Sequence, residues 1–274
     1  MKVNTNIYSK ELKRYRNSFI AWSVSISVLI LMEMAFFRFL IKGDMLNLMK
    51  IFFENPFWKK ALAAFGWSAD GLTNILGYYG ARNAIYILLL GIFFSILLAG
   101  KILALEENEK TAEFLLTKPV TRLEVVRSKL AAFITYLLLL NIIILAIGFT
   151  GLEIFKGDSD YRPVAFLIYS SYSFLLMLAF GTIGLFISLL MKRGRPITNI
   201  SIGIVFGGYL IDILSRVTAS TEKFGYLSPF KFIDTGVLRP DYGLEWWRVL
   251  YFLGLSFLLI TLTFIIYKKK DILI

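Results

Sequence analysis

The chain has 274 residues, 57% apolar and 18% charged, with a mean hydropathy of +0.69. A soluble domain is about 45–50% apolar and about 25% charged, so soluble, disordered and fibrous readings give way to an integral membrane protein. Cysteine and histidine are both absent, which removes disulfides, thiolate metal sites, His-dependent triads and HExxH zinc centres. The net charge is +11, and in a membrane protein its placement matters more than its total.

Taken in chain order, Ile7–Asn17 reads as an amphipathic interfacial helix. Tyr8, Leu12 and Tyr15 share one face, and Lys10, Lys13, Arg14 and Arg16 are free to meet anionic head groups. Six stretches then have the roughly 20 apolar residues needed to cross a bilayer. They are 18–41, 83–104, 130–151, 164–191, 197–215 and 247–267. The predicted fold is therefore an all-α, polytopic membrane protein, a single transmembrane domain over 1–274. The first span is too long for a signal-peptide h-region and lacks a small-x-small site directly after Ile41, so it is expected to remain as an anchor. Gly181, Gly184 and Ser188 in the fourth span, and Gly203, Gly207 and Gly208 in the fifth, predict close helix–helix contact faces.

Orientation follows from the basic residues. With the N-terminus inside, 17 of the 30 Lys and Arg fall in 60 inner residues and 12 in 86 outer residues. Lys192, Arg193 and Arg195, and Lys268 to Lys270, make the bias plain. The positive-inside rule favours cytoplasmic N- and C-termini. It puts the segment between spans two and three, 105–129, in the cytoplasm. Elsewhere, Lys/Arg clusters fall at span ends, where topology explains them without nucleic acid.

That cytoplasmic segment is the most elaborate inner one. Its first half is acidic and helix-favouring, with Glu106, Glu107, Glu109 and Glu113; Ala112, Leu115 and Leu116 form a stripe by i, i+3, i+4 spacing. The lipid interface, the protein's own helices or a soluble partner could cover that stripe. Lys118-Pro119 breaks the helix. Thr121 and Glu124 then form a T-x-x-E capping box, with Val120 and Val125 placed as a staple, and a second helix runs on into span three.

Residues 106–129, EENEKTAEFLLTKPVTRLEVVRSK, resemble the signature of type-2 ATP-binding-cassette (ABC) exporter permeases. The shared steps are an acidic residue, Thr-x-Glu, a Leu-rich turn, a Thr-x-Pro-Val-x-Arg break and a closing Lys. The six-span layout and Ser228-Pro229-Phe230 in the last outer loop also look like that family. The resemblance implies an exporter half-channel in the bacterial or archaeal plasma membrane. Its partners would be a cytoplasmic ABC ATPase subunit, a second permease copy or paralogue, and the lipid bilayer. ATP and Mg would sit on the ATPase subunit, with no cofactor bound by this chain. By the same resemblance Glu106–Thr117 is the docking helix and Lys118–Arg122 its elbow. The implied partner-binding residues are Glu106, Glu109, Thr111, Glu113, Phe114, Leu115, Leu116, Pro119 and Arg122.

No ATPase motif is legible. The nearest Gly-Lys, Gly100-Lys101, is followed by Ile102, with Ser95 where the P-loop's first Gly would stand. Glu33, Arg38 and Asp212 are charges inside spans one and five, and they read as a polar cluster near the outer interface or as part of a substrate path. A single Asp in the spans and no His argue against an intramembrane protease, and no GxSxG elbow is present. In the outer loops, Phe57, Trp58, Phe65, Trp67, Tyr226, Phe230, Phe232, Tyr242, Trp246 and Trp247 read as an aromatic belt or as a lid. The competing class is an ATP-independent six-span channel or secondary transporter. It needs polar residues at mid-bilayer, for which Asn141, Thr198 and Asn199 are the few candidates.

Overall fold

The structure is a computed structural model that describes residues 3–42, 51, 53–65, 67–85, 87–108, 120–191, 197–217 and 219–269. Among them the regular structure is entirely helical: α1 (Thr5–Lys42), α2 (Pro56–Ala64), α3 (Ala69–Thr73), α4 (Ile75–Ile85), α5 (Ile87–Asn108), α6 (Arg122–Phe155), α7 (Pro163–Leu190), α8 (Ile197–Val217) and α9 (Trp246–Lys269). Two 3₁₀ segments, Ala219–Leu227 and Pro229–Phe232, follow α8. Six helical stretches are long and apolar enough to cross a membrane, with α4 and α5 together forming the second.

Several helices outrun the apolar windows that predict them. Span one is read as 18–41, yet α1 has 38 residues and begins at Thr5. Its first three turns are rich in Lys, Arg and Glu, which hydropathy excludes but which are good helix formers. The expected separate interfacial helix over Ile7–Asn17 is thus the opening of α1. Tyr8, Leu12 and Tyr15 pack on the protein core instead of on lipid, while Lys10, Lys13, Arg14 and Arg16 stay exposed. Span two, read from 83, is preceded by α4 from Ile75, because Asn74 accepts from Leu76 N and Gly77 N and sets a helix start there. Spans four, five and six lie within two residues of their predicted bounds.

The bundle centres on α5 and α7, which make the most extensive helix pair, and α1 lies along α6. The α5–α7 contact is close because Gly184 has no side chain. A Cβ there would stand 2.6 Å from the Ile96 carbonyl oxygen. Gly181 is similarly hemmed in by Phe133 and Ser95, and Ser95 Oγ donates to Met177 O at 2.6 Å across the same seam. The fourth-span prediction of a contact face therefore holds at Gly181, Gly184 and the buried Ser188. Among the described residues, a Cβ at Gly208 in the fifth span would meet Ser228, Phe180 and Phe230, while one at Gly203 or Gly207 would meet nothing within 4 Å. Spacing alone does not say which face of α8 turns inward.

The start of α1, the end of α5, the start of α6 and the last turns of α9 share one end of the bundle. Asn4 N donates to Ser128 Oγ, and Leu103, Val126 and Thr263 line a common crevice. The other end is a folded cap. Ser228 N-caps the second 3₁₀ segment, and Phe230 is buried against Phe180 and Tyr209. Tyr242 OH donates to Asp234 O, and Arg162 holds the carbonyls of Arg239 and Pro240. Phe57, Trp58, Phe65, Tyr226, Trp246 and Trp247 stay exposed around it, as a head-group belt requires.

Candidate coupling site and its anchoring network

Helix α6 starts where the sequence predicts. Thr121 accepts from Glu124 N at 3.3 Å, and Glu124 Oε2 accepts from Thr121 N at 2.9 Å, completing the capping box. From that start α6 runs unbroken for 34 residues, so no hinge separates the second half of the 105–129 segment from the membrane helix. On the other side, α5 continues through Asn108. Glu106 accordingly belongs to the last turn of α5, not to the first turn of a new helix. Arg122 is the first residue of α6 and is half-buried. Glu109, Thr111, Glu113, Phe114, Leu115, Leu116 and Pro119 lie outside the described residues.

At the root of this segment lies a buried ion pair that no hydropathy window reveals. Lys129 Nζ lies 3.4 Å from Glu11 Oε1, with the two side chains 0% and 1% exposed, and also donates to the Ile102 carbonyl. One ammonium thus touches α1, α5 and α6. Ser128 accepts from Asn4 N and donates to Glu124 O; Tyr8 OH meets Thr135 Oγ1 at 3.0 Å; Tyr136 OH donates to Leu12 O. A signal was present. Lys129 falls at helical spacing among Val125, Val126, Ala132 and Phe133, all buried, and Glu11 falls one turn after the buried Ile7.

The three intramembrane charges do not form one cluster. Glu33 lies 3.2 Å from Arg82 Nε and accepts from Tyr78 OH at 3.0 Å. The Arg82 guanidinium also stacks over Trp67, 4.8 Å from the ring centre. Asp212 pairs with Arg216 at 2.8 Å, one turn along α8. Arg38 is exposed, and among the described residues no ion pair or hydrogen bond joins it to Glu33 or Asp212. The i, i+4 spacing of Asp212 and Arg216 was legible; the Arg82–Glu33 pair, 49 positions apart, was not. Asp212, whose Oδ1 has no hydrogen-bond partner among the described residues, lines a cavity of about 30 Å³ with Tyr169, Tyr209 and Phe230. That is room for about one water. No group of acidic residues able to hold a metal ion occurs among the described residues.

The sequence model of the ABC-2 family transporter proteins matches residues 5–272. The chain belongs to that family. No curated protein matches it. It is a multi-pass permease of an ABC transporter, a class of membrane subunit that works with an ATPase subunit. In this permease the capping box, the unbroken α6 and the Lys129 contact together define a stiff root for the segment between spans two and three.

At the other end of the permease, Glu245 sits just before α9. It accepts from Arg248 Nε at 3.0 Å and Trp247 Nε1 at 2.7 Å. The Arg248 hydrogen bond holds its carboxyl below the usual range, against the opposing effect of burial and with help from the Trp247 hydrogen bond. A depressed carboxyl stabilises above its unfolded pKa, and that contribution is lost as pH falls through the folded value. The site is partly exposed, so the effect is about 0.5 kcal/mol. Tryptophan fluorescence is expected to carry a transition in the acid range that Glu245→Gln removes. An identical titration in that variant would assign the transition elsewhere.

Proposed function

We propose that this permease is the membrane-spanning half of an ABC exporter, seated in a bacterial or archaeal plasma membrane with both termini cytoplasmic. Segment 106–122 docks a cytoplasmic ATPase subunit, which alone holds ATP and Mg, and the permease pairs with a second copy or a paralogue. The observation that supports the reading lies at the two described ends of that segment: α5 runs out through Asn108, α6 begins at Arg122, and Lys129 at the foot of α6 reaches Ile102 O on α5 and Glu11 on α1. A partner that moved this segment would move both helices, since neither ends before the membrane. The bias of basic residues supports the cytoplasmic side for this end. Gly203 and Gly207 leave a flat stretch of α8 uncovered among the described residues, where a second permease can approach closely. Peptide or antibiotic, lipid and ion remain the cargo classes compatible with the apolar bundle.

The test is co-purification with the ATPase subunit. Glu113→Arg with Leu115→Asp reverses one charge and inserts another into the apolar stripe. Losing a pair of interface anchors is expected to weaken binding by about 2 kcal/mol, roughly thirtyfold. Full retention of binding and of permease-dependent ATPase activity would refute docking through this segment.

A further inference from the structure

We propose that Lys129 is a positioning residue: with Glu11 and the Ile102 carbonyl it locks α1, α5 and α6 into one body at the root of segment 109–121, so that motion received there passes into the membrane bundle. The proposal deepens the coupling reading and rests on it for its functional half.

The argument begins with geometry. Lys129 lies two turns into α6, and Ile102 lies six residues before the end of α5. The segment between these two helices is therefore clasped at its base by a single ammonium. The third attachment, Glu11, is two turns into α1. Lysine suits the position because its ammonium has three donors and no acceptor, so it can serve a carboxylate and a carbonyl at once. Both charged side chains are withdrawn from solvent. To splay α5 from α6, or to slide α1 along α6, the ammonium must lose an oxygen partner at a site withdrawn from solvent. A buried charge resists that far more strongly than an exposed one. The surrounding contacts of Asn4, Tyr8, Leu12, Ser128, Thr135 and Tyr136 all run between α1 and α6. Lys129 alone among these reaches α5 as well. It is the contact that turns a zipped pair into a triad. The long separation in sequence, Glu11 to Lys129, means that the start of the chain is tied to the foot of α6.

Two measurements test this. The chain has no cysteine, so nitroxide labels at the exposed Lys13 on α1 and Lys101 on α5 report the distance between those helices without background. In nanodiscs, with no ATPase subunit present, the wild type is expected to give one narrow distribution. Glu11→Gln with Lys129→Gln removes both charges while keeping the side chains hydrogen-bonding, so no orphaned charge unfolds the bundle. Its distribution is expected to be about twice as wide. A double variant as narrow as the wild type overturns the proposal. With the ATPase subunit bound, the wild-type mean distance is expected to shift by less than about 2 Å between nucleotide-free and vanadate-trapped states, as in rigid-body motion. A larger shift overturns the proposal. In the double variant the subunit binds normally but its permease-dependent stimulation falls at least tenfold; unchanged stimulation overturns the transmission role. Failure of the wild type to bind any ATPase subunit defeats the coupling reading, while the nanodisc comparison still scores the lock.

Discussion

Gly184→Val is expected to lower the thermal stability of the detergent-solubilised permease strongly. The added Cβ would lie 2.6 Å from the Ile96 carbonyl oxygen, 2.9 Å from Ile96 Cγ1 and 3.2 Å from Ile96 Cα. Two of those atoms are backbone, so no rotamer change relieves the clash. Helices α5 and α7 must separate, and they form the most extensive pair in the bundle. Separation also loosens Ser95 from Met177 O and the Gly181 contact with Phe133. Overpacking costs about 1–3 kcal/mol where side chains can yield, so about 3 kcal/mol is expected here. For a chain of this size that is roughly 6–12 °C in Tm. Gly254→Ala serves as the control, since a Cβ there meets nothing within 4 Å. Fluorescence-detected size exclusion after a heat step measures both. Equal losses in the two variants would show that the close approach at Gly184 does not set the response.

The second large effect is at Arg82. Arg82→Met removes the cation from Glu33, whose side chain is 11% exposed. Tyr78 still donates to the carboxylate, but one neutral donor does not replace a guanidinium. Breaking a buried pair from one side costs about 3–5 kcal/mol, whereas replacing both members is often near neutral. Adding Glu33→Gln keeps an acceptor for Tyr78 and removes the orphaned charge. The double variant is therefore expected to recover more than half of the lost stability, and thermal unfolding of the four-member cycle reads the coupling directly. Strict additivity would mean that Glu33 and Arg82 act independently and that the pair has no energetic content.

How much of this was legible in the sequence differs by kind of signal. Hydropathy located the six crossings, and the T-x-x-E spacing located the start of α6, because both signals are local. Hydropathy missed the first three turns of α1, since a helix that leaves the apolar phase keeps its hydrogen bonds but changes its side chains. Long-range pairings were missed altogether. Glu33 was grouped with Arg38 and Asp212 on depth alone, while the structure gives it Arg82 and Tyr78. Lys129 stands as the closing residue of a motif on a face whose spacing marks it as buried, but its partners on α1 and α5 needed the tertiary fold. The small-residue faces split in the same way. Gly184 is seated and Gly203 is bare, because spacing marks a flat face without saying what covers it.

The length of α1 has a mechanical corollary. At 1.5 Å per residue its 38 residues extend about 57 Å, against roughly 30 Å of hydrocarbon. Residues 5–17 alone account for about 20 Å of mast beyond the apolar slab, braced along α6 by the Asn4, Tyr8 and Glu11 contacts. A tilt of about 10° at the lipid surface sweeps the top of such a mast through some 3–4 Å, a displacement as large as a helix step. A small rocking of the bundle is thereby amplified outside the bilayer, and, run in reverse, a modest push on the mast tip gains leverage over the apolar slab.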